Sequence, residues 1–223
     1  MSRPLLAIDT SSGTSVALLN GGVVLAQVTH ESGLKHAELI GDSIRMVLGE
    51  AGVKPAQVGA VAVARGPALF TGLRVGLAAA TMFAAATGAR LLGVVSHDAL
   101  ALQLFSEHEE LAGAPLLVTT DARRGELYWS LYSGLDSHHL PNRIEGPAVG
   151  RREDILDQVA ARSGAHGLAV ERSGVVSAVW VAKLAETQLI SGVASHEVSA
   201  LYLRAPDAVE PKPNQMFGKR VSG

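Results

Sequence analysis

Two acidic turns carry the residue types best suited to chemistry in this 223-residue chain. Asp9 ends the apolar run Leu5 to Ile8 and opens Thr10-Ser11-Ser12-Gly13. Asp121 ends the run Leu116 to Thr120 and opens Ala122-Arg123-Arg124-Gly125. Small residues in such a turn let backbone N–H groups approach an anion, so the first turn is a candidate phosphate cradle. The second is a poorer one. Ala122, Arg123 and Arg124 stand where glycines would permit close approach, although two arginines attract an anion by charge. For both turns the alternative is an ordinary hairpin whose Asp and Arg side chains satisfy the turn.

Other chemistry finds less support. The segment Gly66 to Gly76 joins a strand to a helix, and helix N-termini bind anions. It lacks the Lys-Ser/Thr ending of a P-loop, and the chain has no Walker A or G-x-G-x-x-G pattern. Independent ATP hydrolysis is therefore not expected. The eight histidines form neither H-x-x-x-H nor H-E-x-x-H. His138 and His139 read as a surface pair, and His36 and Glu38 as capping or surface residues. No G-x-S-x-G elbow supports a serine hydrolase. With 0 cysteines, thiol catalysis, thiolate metal sites and disulfides are excluded. The net charge of −2 lacks the basic excess of an autonomous nucleic-acid binder.

These residues must be positioned by a core of Ala, Val and Leu, because aromatics are only 4% while hydrophobics reach 48%. The opening reads as three antiparallel strands, with Asn20-Gly21-Gly22 as a hairpin signal. A helix from about Ala37 to Glu50 follows, with Gly52 as its C-cap. Then come a buried strand Val58 to Ala64, a helix from about Thr71 to Thr87 closed by Gly88, a strand Arg90 to Val95 and a helix Asp98 to Phe105. This order is α/β with a mixed sheet. The strands Leu116 to Thr120 and Leu127 to Tyr132 start again. Past Ser133, Arg151 to Ala161 and Ser177 to Leu189 read as helices and few clear strands remain. The tail from Tyr202 reads as extended. Pro4 to Ile8 is too short for a signal peptide, and Val75 to Ala89 is too short to span a bilayer, so a cytoplasmic chain is expected.

Asp9 and Asp121 lie 112 residues apart, half the chain, and each is followed by a Gly four residues on. The match suggests an internal duplication, with a first lobe at 1–110 and a smaller, degenerate second lobe with an extended tail at 111–223; the alternative is a coincidence of one hairpin pattern. A duplicated lobe with an acidic turn after its first strand resembles the plan of the actin, Hsp70 and sugar-kinase group (the ASKHA fold). Spacing alone does not bring the two aspartates together. The helix spanning Val75 to Ala86 is apolar or small on every side except Thr81, and such a helix is expected to be buried all round. Gly72, Gly76 and Ala80, at spacing four, would let another helix approach. The cover would be the Ala37–Glu50 helix, another chain, or both.

Several stretches resemble the TsaB family, also called YeaZ. They are Leu6-Ala7-Ile8-Asp9-Thr10-Ser11, His36-Ala37-Glu38, Gly66 to Gly76, Asp121 to Tyr128, and Tyr202-Leu203-Arg204-Ala205-Pro206. The family usually shows Gly-Ser where this chain has Ala68-Leu69. The resemblance implies a non-catalytic scaffold or activator in synthesis of N6-threonylcarbamoyladenosine at tRNA position 37. The implied partners are a TsaD-like catalytic subunit, a TsaE-like P-loop ATPase, tRNA through the complex, and a second copy when the chain is alone. No cofactor of its own is expected, with ATP or ADP at the complex interface. The metal-binding histidine pair of the catalytic paralogue falls on Ser96 and Leu100, with His97 out of register, so neither a metal nor a catalytic residue is expected. The implied interface is a bundle of the first two helices: Leu39, Ser43, Val47, Gly72, Gly76, Leu77 and Ala80. The rival reading is a stand-alone actin-like ATPase, kinase or peptidase.

Overall fold

Short runs of Val, Leu, Ile and Ala build the inner strands of the first sheet, and helices rich in Ala and Leu pack on it. The computed structural model describes residues 3–31, 35–111, 114–163, 169–172 and 174–204, without the side chains of 70, 160–163 and 169–172. The first half runs β1 (Leu5–Asp9), β2 (Thr14–Asn20), β3 (Val23–His30), α1 (His36–Glu50), β4 (Ala60–Ala64), α2 (Phe70–Thr87), β5 (Arg90–Val94) and α3 (Ser96–Glu107). The second runs β6 (Leu116–Asp121), β7 (Glu126–Leu135), β8 (Pro141–Arg151), α4 (Arg152–Ser163), β9 (Ala169–Arg172) and α5 (Ala178–Ile190). Gly88 ends α2 in the left-handed conformation, φ 70°, which its missing Cβ permits. Ser177 caps α5 by accepting from the Val179 N–H.

The sheets repeat one plan. The first has strand order β3-β2-β1-β4-β5 and the second β8-β7-β6-β9. In each, the first strand pairs antiparallel with the second and parallel with the strand after the helix. The duplication expected from Asp9 and Asp121 is thus present in the topology. The expectation of few strands past Ser133 is corrected, because β8 and β9 complete the second sheet. The tail reading from Tyr202 falls for the most part, at 205–223, outside the described residues.

Packing stacks five layers. α1 and α2 cover one face of the first sheet through Ile40, Val47, Ala80 and Ala84. α4 covers the far face of the second sheet, with Ile155 and Val159 against Leu117, Trp129 and Leu131. Between the sheets lie α3 and α5, and the two halves exchange them: α3 packs on β6, β7 and β8, and α5 packs on β1 and β2. Ala99 and Leu102 of α3, Leu184 of α5, Leu5 of the first sheet and Tyr132 of the second share one buried cluster. By this packing α5 is the counterpart of α3, and among the described residues the second half has no counterpart of α2 and β5.

Within the chain, α2 is covered on one side only. Leu73, Gly76, Ala80 and Ala84 face the core, but Ala78, Met82, Ala85 and Ala86 are exposed. An alanine-rich helix does not require burial on every side, since Ala is the best helix former and a methyl group buries little area.

Candidate functional site: a polar clamp between the halves and an open helix face

The Asp9 turn is closed by local hydrogen bonds. Asp9 Oδ1 accepts from the Ser11 N–H at 2.9 Å, and both carboxylate oxygens accept from the Ser11 hydroxyl. Thr10 Oγ1 donates to the Gly72 carbonyl at 2.8 Å and accepts from the Gly76 N–H at 3.0 Å. A Cβ at Gly76 would fall 2.3 Å from Thr10 Oγ1. The spacing-four glycines of α2 therefore admit the β1–β2 turn, and Gly72 also admits the His36 side chain at the start of α1. Sealed beneath α2, Asp9 is 0% exposed. Burial pushes its carboxyl up to about 7, against the hydrogen bonds from Ser11 and Ser96.

The Asp121 turn repeats the hydrogen bond but not the backbone conformation. Asp121 Oδ1 accepts from the Arg123 N–H at 2.8 Å. Arg123, Arg124 and Gly125 all take positive φ. Arg204 pairs with Glu126 and donates to the Ala122 carbonyl at 3.1 Å. In each turn the N–H two residues past the Asp, a donor a phosphate would need, is engaged by the Asp itself. Neither turn fits a phosphate cradle as it stands.

Between the turns, the first turn of α3 forms a clamp from three consecutive side chains. Ser96 Oγ lies 3.5 Å from Asp9 Oδ2. His97 meets Ser130 Oγ through Nδ1 at 2.8 Å and Thr120 Oγ1 through Nε2 at 2.9 Å. Burial pushes His97 down to about 3, with Arg143 adding to the effect, so the ring is neutral. Asp98 accepts from the Tyr132 hydroxyl at 2.7 Å and pairs with Arg143 Nε at 3.1 Å. Burial raises the Asp98 carboxyl, and Arg143 opposes that shift. His97 and Ser130 make a serine–histidine pair, and both are 0% exposed. Sequence reasoning passed over this clamp. Its signal was Ser-His-Asp opening a helix after one buried strand, with Thr119-Thr120 ending another.

The positions that correspond to the paralogue's metal histidines do not fit a metal ion. Ser96 turns its hydroxyl toward Asp9, and Leu100 is a buried hydrocarbon of the shared cluster.

The residues named for a partner interface divide. Ser43, Val47, Gly76 and Ala80 are buried in the chain's own core. Leu39, Gly72 and Leu77 are half-buried at the edge of the α1–α2 layer. The open apolar surface of that layer is different: Met82 at 69% exposure and Met46 at 56%, with Ala78, Ala85 and Ala86. No helix among the described residues is long and apolar enough to cross a membrane.

Two sheets of repeated order, each opened by an acidic hairpin turn and joined through exchanged helices, define an actin-like α/β protein of the ASKHA fold. YeaZ from Pseudomonas aeruginosa superposes with a TM-score of 0.72 at 27% identity, over 91% of this chain and 100% of that one. A family model described as TsaD, tRNA N6-adenosine threonylcarbamoyltransferase, matches residues 6–195. The Escherichia coli protein named tRNA threonylcarbamoyladenosine biosynthesis protein TsaB is 30% identical over 72% of this chain and 68% of its own length. An uncharacterized Mycobacterium leprae protein is 33% identical over 92% of this chain, which spans only 55% of that relative. The chain belongs to the TsaB (YeaZ) family.

Proposed function

We propose that this chain is a non-catalytic scaffold or activator in synthesis of N6-threonylcarbamoyladenosine at tRNA position 37, and that it binds a TsaD-like catalytic subunit. The observation that carries this reading is the outer surface of α2 and α1, where Met82 and three alanines of α2 and Met46 of α1 are exposed. Small and flexible apolar side chains suit a helix–helix contact. The same face would serve a homodimer when the chain is alone. The two halves, 1–110 and 111–223, would act in the complex as one body, because they share a core. A TsaE-like ATPase, ATP or ADP at the complex interface, and tRNA would join through the partner.

The non-catalytic part of the reading rests on the clamp. Its acids, hydroxyls and imidazole are buried and paired with one another. The rival, a stand-alone ATPase, kinase or peptidase, predicts heat on titrating the isolated chain with ATP and Mg²⁺; no heat is expected. The deciding experiment is threonylcarbamoyl transfer in a mixture of threonylcarbamoyl-adenylate, tRNA and cognate TsaD-like and TsaE-like proteins. Product should form only when this chain is added, and this chain alone should form none. Equal product with and without it would overturn the proposal.

A further inference from the structure

A cavity at the opposite end of the first sheet from Asp9 is not used by the reading above. It encloses about 990 Å³ between the lower ends of β1 and β4 and the helices α3 and α5. Leu5, Ala60, Leu102, Trp180 and Leu189 supply an apolar floor. Arg3, Arg90 and Lys183 stand at the rim, with His139 and one acid, Glu186.

The rim is electrostatically lopsided. The Arg3 guanidinium donates to the carbonyls of Ala56, Gln57 and Val58, which carry no charge to balance it. Lys183 Nζ sits 3.9 Å from the centre of the Trp180 ring. Arg90 is exposed. None of the three cations has a carboxylate within ion-pair distance among the described residues. The acid, Glu186, is already engaged: its two oxygens accept from the Gly21 and Gly22 N–H groups at 3.1 and 2.8 Å. That grip fixes the β2–β3 hairpin to α5 and leaves the cations facing the cavity. Size, an apolar floor and a few converging polar groups are the features of a small-molecule site.

From these features we infer that the cavity binds a small amphipathic anion, with its apolar body on the Leu102–Trp180 floor and its carboxylate or similar head on Arg90 and Lys183. The ring of Trp180 holds Lys183 by cation–π attraction and so presents the ammonium to the head group. The inference is independent of the tRNA-modification reading.

The test is calorimetric titration of the full chain with decanoate below its micellar concentration, beside decylammonium and decanol. Decanoate should bind saturably at one site. Arg90→Glu and Lys183→Glu should each weaken it about fivefold or more, as reversal of a partly screened charge would. Decylammonium should bind more weakly than decanoate to the parent chain. In a Trp129→Phe background, a brominated decanoate should quench the remaining Trp180 emission. Failure to saturate would overturn the proposal. So would affinity unchanged by both charge reversals, or decylammonium binding as tight as decanoate. If Lys183→Glu loses its fold, Arg90→Glu decides alone, because that side chain lies on the surface.

Discussion

The Asp9 and Asp121 turns hold the same hydrogen bond, from the N–H two residues on to the Asp oxygen, yet one side chain is 0% exposed and the other 45%. Local chemistry reproduced that hydrogen bond twice, while burial came from elsewhere. The first turn lies beneath Gly72 and Gly76 of α2 and beside Ser96 of α3. The second half has no counterpart of α2 among the described residues, and its turn stays at the surface with Arg204 alongside. The element missing from one half is the one whose outer face the other half leaves open. Divergence of the halves thus changed both solvent access and the backbone of the turn, since positive φ occurs at Arg123, Arg124 and Gly125 but at no residue from Thr10 to Gly13.

The comparison is broken most strongly at the exchanged helix. Leu184→Ala should lower stability by about 2–5 kcal/mol in denaturant unfolding. Because its cluster joins both sheets, amide protection should fall in β1 and β6 together. Protection lost in one sheet alone would mean that the halves are independent. The matched Ile155→Ala change, in the cluster beneath α4, should act mainly on the second sheet.

His97→Ala should be the next largest. It leaves the Thr120 and Ser130 hydroxyls buried without their partner and should cost about 1–3 kcal/mol. A variant as stable as the parent would show that the clamp contributes nothing to holding the halves.

A pH series sharpens the contrast between the aspartates. The folded chain keeps the Asp9 proton up to about 7, whereas the unfolded chain releases it near the ordinary carboxylate value of 3.8. Asp9 therefore makes stability fall as pH rises through that window, by at most about 1.4 kcal/mol per unit. His97 has the opposite sign. It binds its proton near 6.5 when unfolded and only near 3 when folded, so its contribution rises with pH between those values. Asp9→Asn should leave the His97 slope unopposed, and stability relative to the parent should climb between about pH 4 and 6.5. The control is Asp121→Asn, which alters a side chain already in contact with water. Equal slopes in parent and Asp9→Asn would refute the burial argument.

The smallest expected effect on stability is at the open face. Met82→Glu should change it by less than about 0.5 kcal/mol, as exposed substitutions do. The same variant should lose association with a TsaD-like partner in size-exclusion chromatography. Retained association would move the interface elsewhere.

Much of this fold was legible in the chain. The apolar run, Asp and Gly recurring at 112 residues marked the duplication, and Gly88 marked the end of α2. What stayed hidden has physical causes. β8 contains Pro141, Gly146, Pro147 and Gly150, which interrupt strand alternation; as the edge strand beyond β7 it tolerates them. The glycines of α2 read equally well as a helix seam or a turn seat, because spacing reports close approach and not the identity of what approaches. The clamp escaped notice because each of its pairs joins residues at least 23 positions apart.

The exchange of α3 and α5 also sets the order in which the chain becomes a protein. As it leaves the ribosome, the first half forms a sheet whose inner face has no cover until α5, ending at Ile190, has been synthesised. Contacts this distant slow folding and leave apolar surface exposed meanwhile. Nascent chains stopped short of that helix should be strong clients for chaperones, and release of its last turn should be the moment they let go.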